Sequence, residues 1–260
     1  EKRFQGAGFT FAFCLLRSAC LFTSHFSPLT QLIMCGRYVL SATIEELVKK
    51  YGAVPDGLFR AEPNYNVAPS THMPIVAEMG EERTLSMSRW GLVPFWAESP
   101  NTGYSMINAR SETLDEKRSF SQPFASRRCI VPANGFYEWK KGSVGKIPHY
   151  ITTPDHSLMN FAGLYELWKG DDGELVNSFT IITTSANKAM EELHDRMPAM
   201  LLPEEFDFWL DPGNNDLSAL KDLLRPWPDD DINLHRVGTD VNNVRNSGPR
   251  LIEPYQDLFS

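Results

Sequence analysis

The clearest helical pattern in the chain begins just after residue 40. Its apolar residues recur three and four positions apart, as on one face of an amphipathic helix: Ile44, Leu47, Val48 and Tyr51. Thr43, followed three residues later by Glu46, has the form of a capping box, and Gly52 is typical of a helix end. The pattern therefore predicts a helix over residues 44–51.

Runs of β-branched and aromatic residues predict strands through the middle of the chain. The predicted strands cover residues 37–40, 73–78, 84–90, 127–131, 136–140, 149–152, 158–166 and 176–183. Gly80 and the segment Asp171-Asp172-Gly173 are expected to form turns between neighbouring strands. Asn134-Gly135 is the strongest short hairpin signal, so we expect the two strands that flank it to pair directly.

Helical spacing returns in the last third of the chain, over residues 186–193, 204–210 and 217–224, with Asp216 as the N-cap of the last helix. A middle rich in strands with helices around it predicts an α+β fold. We expect a single domain, residues 34–260, with a strongly bent, mostly antiparallel β-sheet or barrel flanked by helices.

The first 33 residues differ in character from the rest. Apolar runs at residues 9–13 and 15–22 follow a basic start and superficially resemble a secretory signal, but Arg17 interrupts them. The sequence opens with Glu1, whereas Met34 begins a segment of quite different composition. We interpret residues 1–33 as an upstream extension or pro-segment outside the fold, so that removal of everything through Met34 makes Cys35 the first residue.

Composition and charge exclude several classes of protein. Of the 260 residues, 42% are hydrophobic and 22% charged, which is typical of a globular chain. A net charge of −8 argues against a protein that coats nucleic acid through bulk positive charge, so any such contact must be local. The four cysteines lack the spacing of a disulfide scaffold or zinc site, which favours a reducing cytoplasm. Since no Walker loop, GxGxxG, HExxH or GxSxG is present, we expect neither a metal nor a cofactor.

Cys35 stands directly after a potential initiator methionine. As an N-terminal residue it would carry an amine and a thiol on adjacent carbons, and the amine is nucleophilic near neutral pH. The two groups together can trap an aldehyde as a five-membered thiazolidine. On residue type alone, the alternative is a small buried cysteine beside the turn residue Gly36.

Three further polar residues stand among aromatic and apolar neighbours. Glu138, flanked by three aromatic residues, is expected at an apolar wall that raises its pKa and suits it to proton transfer; otherwise it faces solvent from a hairpin strand. His194 follows a predicted helix, whose C-terminus favours the protonated imidazole, or it is only a capping residue. Asn108 either orients a reacting amine or carbonyl, or satisfies backbone groups.

Two segments, residues 65–70 and 90–96, offer aromatic and proline surfaces on which a nucleobase can stack. The alternative for both segments is core packing, where we expect Trp90.

Taken in order, the words MCGRY, YNVAP, RWGLVPFW, INARSET, GFYEW, TTSAN and HDRMP resemble the SRAP family, named for SOS-response-associated peptidase. The resemblance covers residues 34–254. Any single word is weak evidence, but all seven in this order are specific.

The resemblance implies a protein that senses abasic sites in single-stranded DNA and bonds covalently to them. Cys35 would attack the ring-opened sugar aldehyde with its amine, and its thiol would close the thiazolidine. Glu138 would assist ring opening, His194 would shuttle protons, and Asn108 would position the amine. The word "peptidase" in the family name refers to autoproteolytic release of the residues ahead of the cysteine.

The resemblance also implies the DNA contacts. Arg37, Arg110 and Thr183 match positions that hold phosphates, and Pro69 and Trp96 match positions that wedge against bases. A few arginines in a narrow groove can bind DNA on an acidic protein, and the candidates are Arg37, Arg110, Arg127, Arg128 and Arg245. We expect a cytoplasmic monomer, associated with the nucleoid when bound to DNA, without membrane contact.

Two other functions stay open from the sequence. One is a thiol peptidase in which Cys35 or Cys129 pairs with His194 and Asn108. The other is a non-catalytic module that binds single-stranded DNA.

Overall fold

The structure is a computed structural model, and it describes residues 36–57, 62–143, 145–171 and 173–256. The predictions made for the upstream segment and for Cys35 lie outside the described residues, as does Asp172 of the predicted turn.

The described residues contain thirteen strands and five α-helices. The strands are β1 Tyr38–Leu40, β2 Val54–Pro55, β3 Asn64–Val67, β4 His72–Met79, β5 Glu82–Trp90, β6 Asn108–Arg110, β7 Arg128–Ala133, β8 Gly135–Lys141, β9 Lys146–Thr152, β10 Met159–Lys169, β11 Leu175–Ser185, β12 Arg196–Pro198 and β13 Asn233–Arg236. The helices are α1 Ile44–Tyr51, α2 Arg118–Ser126, α3 Lys188–Glu191, α4 Phe206–Leu210 and α5 Leu217–Asp222. No described helix combines the length and the apolar composition needed to cross a membrane.

Helix α1 has the ends that its sequence predicts. The Thr43 backbone N–H donates to the Glu46 carboxylate at 2.7 Å, and the Glu46 N–H donates to the Thr43 hydroxyl at 3.2 Å. Gly52 ends the helix in the left-handed region, at φ 61°, with its N–H bonded to the Val48 carbonyl. Local capping therefore fixes this helix.

Five strands close into a ring in the order β5-β11-β10-β7-β4. Antiparallel pairs make up most of the ring, and a parallel pair closes it, with Arg89 opposite Ser178 and Trp90 opposite Phe179. The Trp90 and Phe179 rings stack with centroids 6.4 Å apart and an interplanar angle of 9°. The prediction of an α+β domain with a mostly antiparallel barrel and flanking helices is confirmed.

A second antiparallel sheet has the strand order β13-β9-β8-β1-β3. Its side chains alternate between two apolar clusters, as the period of a strand requires. Phe136 and Ile151 lie opposite each other and belong to the main core, whereas the next pair, Tyr137 and Tyr150, belongs to a second cluster with Val241. This alternation decides which residues of β8 and β9 share a face.

The predicted hairpin at Asn134-Gly135 is wrong. β7 pairs with β10 and β4, whereas β8 pairs with β1 and β9, so the chain changes sheets at Asn134. The Asn134 side-chain oxygen accepts from the Ser41 N–H at 2.7 Å, which ties the crossing to the end of β1. At Gly135 a Cβ would lie 2.4 Å from the Ile151 carbonyl oxygen, so glycine serves close packing here, not a tight turn.

The C-terminal helices are shorter than predicted. Only α3, four residues long with Asn187 as its N-cap, forms in the predicted segment 186–193, while α5 has the predicted Asp216 cap. Helix α2 was not predicted, since Pro123 lies within its nine residues.

Candidate functional site

The pairing of β1 with β8 brings the start of the described chain to Glu138. Tyr38 lies opposite Phe136, and the Tyr137 N–H donates to the Arg37 carbonyl at 3.0 Å. The same register places Gly36, the residue bonded to Cys35 in the sequence, opposite Glu138. Glu138 is only 4% exposed, so it has the buried setting that its aromatic neighbours indicated.

His194 follows α3, and its N–H donates to the Met190 carbonyl at 2.9 Å. Its Nδ1 lies 2.7 Å from the Asp195 carboxylate and 3.1 Å from the Arg196 backbone N–H, which donates to it. The carboxylate contact needs a protonated Nδ1 and the N–H contact an unprotonated one, so partners for both states are in place.

The pKa of His194 is lowered, chiefly by burial, with Lys146 and Arg196 adding to the effect and Asp195 opposing it. The expectation that a helix end favours the protonated imidazole is therefore wrong. The side chain is 11% exposed, and a helix of four residues does not outweigh the loss of hydration.

Glu138 and His194 come from segments that are tied together. Lys140, two residues after Glu138 on β8, forms a 2.7 Å ion pair with Glu192, two residues before His194. The charge of Lys146, at the start of β9, also acts on the His194 imidazole. The β8–β9 pair therefore lies beside residues 192–196.

Asn108 reaches the same region through β11. It opens β6, which runs parallel to β11 with Asn108 opposite Ile181 and Arg110 opposite Thr183. On the other edge of β11, Thr183 pairs with Pro198 of β12, the strand that follows His194. Asn108 therefore lies on β6 and His194 just before β12, and these two strands flank one end of β11.

Arg196 is part of this site, although the sequence reasoning did not single it out. Its terminal nitrogens donate to the Glu112 carboxylate, at 2.9 Å for Nη2, and Nη2 also donates to the Thr183 carbonyl at 2.6 Å. The sequence could have pointed to Arg196, because Arg196 lies in the HDRMP word and its partner Glu112 lies in the INARSET word.

The predicted phosphate contacts have different surroundings. Arg37 is half-buried, and its Nη1 donates to the Asn66 side chain at 2.8 Å and to the Val241 carbonyl at 2.9 Å. Arg110 is exposed at the end of β6. Thr183 is 1% exposed, so its side chain is enclosed beside Arg196.

One of the five arginines predicted to line a DNA-binding groove is buried inside the fold. Arg128 is 1% exposed, and its guanidinium binds backbone carbonyls, including those of Trp209 and Phe124 at 2.7 Å each. The prediction that Arg128 lines a DNA groove is wrong, because its guanidinium is buried and donates its hydrogen bonds to backbone carbonyls within the fold. Arg127 pairs with Glu166 at 2.8 Å, and Arg245 is exposed.

Pro69 and Trp96 lie in segments that meet at the end of β5. The Ser70 N–H donates to the Trp90 carbonyl at 2.8 Å, which anchors the turn that carries Pro69. The loop with Trp96 starts directly after Trp90, and the Arg118 guanidinium lies 4.8 Å from the Trp96 ring centroid. Trp96 remains 37% exposed, whereas Trp90 is fully buried, as predicted.

Cys129 is fully buried in β7, and burial raises the pKa of its thiol well above the ordinary value. A nucleophilic thiol needs access and a low pKa, so Cys129 is excluded as the nucleophile of a peptidase. Among the described residues, no cluster of three or more histidine, cysteine or acidic side chains is arranged to hold a metal ion.

Comparisons with known proteins show which family this chain resembles. The family described as SOS response associated peptidase (SRAP) matches residues 34–244. Abasic site processing protein YoqW of Bacillus subtilis (strain 168) is 42% identical over 226 residues, which cover 85% of this chain and 100% of that protein. Abasic site processing protein HMCES of Xenopus tropicalis is 34% identical over 222 residues, covering 74% and 66%. An X-ray structure of a protein from Bacteroides thetaiotaomicron has a TM-score of 0.76 at 28% identity, covering 85% of this chain and 100% of that one. The chain therefore belongs to the SRAP family.

Proposed function

We propose that this protein processes abasic sites in single-stranded DNA by forming a covalent bond to them through Cys35. The observation that carries the proposal is the 42% identity to the whole length of an abasic site processing protein. The position of Gly36 opposite the buried Glu138 supports it, because a proton-transfer group then lies beside the residue bonded to Cys35.

The proposed chemistry needs the free α-amine of Cys35. The amine attacks the aldehyde carbon of the ring-opened sugar, and loss of water leaves an imine. The thiol then adds its sulfur to the imine carbon, its proton passes to the nitrogen, and a thiazolidine results. While residues 1–34 are attached, Cys35 has an amide nitrogen that cannot react in this way.

Three described residues supply the proton steps and the positioning. Glu138 gives a proton to the ring oxygen of the closed sugar and takes one from its hydroxyl group. His194 shuttles protons during imine formation, because it is neutral near pH 7 and has a partner for each state of Nδ1. Asn108 positions the Cys35 amine.

The DNA strand is held by a small number of cations. Arg37 and the exposed Arg110 bind phosphates, and Thr183 contributes through its carbonyl, which holds the Arg196 guanidinium. Pro69 and Trp96, on the two segments anchored at the end of β5, wedge against the bases. We further propose that the protein is a cytoplasmic monomer and associates with the nucleoid when it binds DNA.

The test is covalent capture of an abasic single-stranded oligonucleotide, scored on a denaturing gel. The mature chain should shift the oligonucleotide, and Cys35→Ala should abolish the shift. Cys35→Ser is the matched control for the thiol: its amine should give an imine that survives denaturation only after reduction with borohydride. Equal capture by Cys35→Ala would overturn the proposal, because the bond would then form through another group. Binding by both chains that does not survive denaturation would favour a module that binds DNA without chemistry.

The family description as a peptidase favours a second candidate, thiol proteolysis by Cys35, in addition to autoproteolytic release of the upstream residues. The two candidates differ in their need for the amine. Acetylation of the Cys35 amine should abolish DNA capture and leave thiol-dependent hydrolysis intact. Intact-mass measurement of the purified protein tests maturation, because a mass that begins at Cys35 is the expected result.

A further inference from the structure

His149 lies directly opposite Glu138 in the antiparallel pair β8–β9. Directly opposed residues share a sheet face and have Cβ atoms about 4.5–5.5 Å apart. The pair two positions along, Phe136 and Ile151, faces the main core, so Glu138 and His149 extend that same face. The sequence reasoning did not single out His149, and the roles proposed above do not use it.

The tautomer of His149 is fixed by its own strand. Its Nδ1 lies 3.0 Å from the Ile147 carbonyl oxygen, which can only accept a hydrogen bond. Nδ1 therefore carries the proton in the neutral ring, and Nε2 has the lone pair.

Several charged groups surround this imidazole. Arg236 of β13 lies directly opposite His149 on its other edge, and the neighbouring His235 belongs to the same strand. From β8, Lys140 adds positive charge, while Glu138 is the carboxyl that faces the ring. Burial lowers the pKa of His149, the hydrogen bond to the Ile147 carbonyl opposes this, and Lys140, Arg236 and His235 lower the pKa further. His149 is thus neutral at pH 7, although an acidic side chain lies opposite it.

We propose that His149 is a positioning residue, whose Nε2 accepts a hydrogen bond from the protonated carboxyl group of Glu138 and holds this acid towards Gly36. The inference rests on the proposed function, because it assigns a partner to Glu138 in that reaction. No proton is transferred to His149: Glu138 gives its proton to the ring oxygen of the sugar and regains one from the substrate hydroxyl or from water.

The neutral state of His149 is what makes it suitable. An imidazolium would pair with the Glu138 carboxylate and hold that group ionised, which removes the proton it must donate. The cations around His149 prevent this pairing at neutral pH. The rate of capture should therefore fall on the acid side as His149 takes up a proton.

Two measurements on the mature chain test the inference. The first is nitrogen-15 NMR of the histidine side chains. Neutral His149 should show protonated Nδ1, and the Nε2 shift should change in Glu138→Gln. In Arg236→Gln, the loss of the facing cation should move the His149 titration midpoint to higher pH.

The second measurement is the pH dependence of the capture rate. The step in the acid limb that is due to His149 should move upwards in Arg236→Gln by the same amount as the NMR midpoint. That step should be absent in His149→Gln, with the rate above pH 7 within about tenfold of the wild type. His72→Gln, which removes an exposed imidazole on β4, is the control and should leave the profile unchanged.

The outcomes separate this inference from the proposed function. An Nε2 shift that is insensitive to Glu138→Gln, or an acid limb that is the same in all variants, overturns the role of His149. If Glu138→Gln changes the Nε2 shift of His149 but the wild-type chain captures no DNA, the proposed function is overturned instead.

Discussion

Glu112 accepts hydrogen bonds from both terminal nitrogens of the Arg196 guanidinium. This pair joins the segment after β6 to β12, and Arg196 also binds the Thr183 carbonyl of the strand between them. A bidentate pair fixes the plane of the guanidinium as well as its position. The strand that follows His194 is therefore held in a set orientation towards the segment that contains Asn108.

Glu112→Gln should lower the free energy of unfolding by about 1 kcal/mol or less, since the carboxylate is half exposed. The hydrogen bond from Arg196 holds the pKa of Glu112 below its usual value. A carboxyl group with a depressed folded-state pKa stabilises the protein above its unfolded pKa, and that stability is lost as pH falls through the folded value. The difference between wild type and variant in urea unfolding should thus be smaller at about pH 3 than at about pH 5, on either side of the ordinary pKa of a glutamate.

The control is Glu81→Gln, an exposed carboxylate in the turn after β4. It should show no comparable difference at either pH. A Glu112→Gln difference that persists undiminished at pH 3 would show that the ion pair is not its source.

Gly135→Ala should destabilise the fold by at least about 2 kcal/mol, because the added methyl group meets backbone that cannot move aside. Its Cβ would lie 2.4 Å from the Ile151 carbonyl oxygen and 2.5 Å from the Tyr150 ring. Urea unfolding measures the effect. Gly238→Ala, where an added Cβ has no neighbour within 4 Å, is the matched control and should be close to neutral.

Gly135 also shows where sequence reasoning reached its limit. The ends of α1 and the hairpin partners β4 and β5 follow from local signals, and these predictions hold. Asn-Gly is a local signal too, but here tertiary contacts with Ser41 and Ile151 decide the path of the chain. The parallel closure of β5 on β11 joins segments about 90 residues apart, and nothing local encodes it.

The sequence predicted which residues belong to the site, but it did not predict how they are arranged in space. Glu138, His194 and Asn108 were named from sequence words, yet only the pairing of strands shows that they belong to one region. His149 could have been found, because a hairpin centred on residues 142–145 pairs positions 138 and 149. The buried role of Arg128 could not have been predicted, because an arginine that binds backbone carbonyls looks the same in the sequence as one that binds phosphate.

Arg128→Met should therefore destabilise the protein by about 3–5 kcal/mol without weakening DNA binding by the folded fraction. The variant keeps most of the side-chain volume but leaves the carbonyl oxygens of Phe124 and Trp209 without their donor. Urea unfolding should show the loss. DNA affinity, measured below the unfolding transition, should stay within about twofold.

The counterpart is Arg245→Gln, in which an exposed arginine is removed. It should leave stability nearly unchanged. Weaker DNA binding by folded Arg128→Met, with its stability unchanged, would restore Arg128 to the groove.

Asp195→Asn should lower the pKa of His194 further. Burial is the main cause of the low pKa, and the Asp195 carboxylate, 2.7 Å from Nδ1, is the group that opposes it. Because Asp195 is 85% exposed, water and salt screen its charge, and the NMR midpoint of His194 should fall by less than about 1 pH unit. The Arg196 N–H would still donate to Nδ1, so the neutral ring keeps its partner.

The acid limb of the DNA-capture rate should move in the same direction, to lower pH. If neutral His194 takes up a proton during imine formation, a lower pKa extends the active range to lower pH, and the acid limb due to His194 should move down with the midpoint. Asp230→Asn, which removes an exposed carboxylate elsewhere, should move neither quantity. A midpoint that falls without any change in the capture profile would remove His194 from the proton steps, because its charge state would then not limit the reaction.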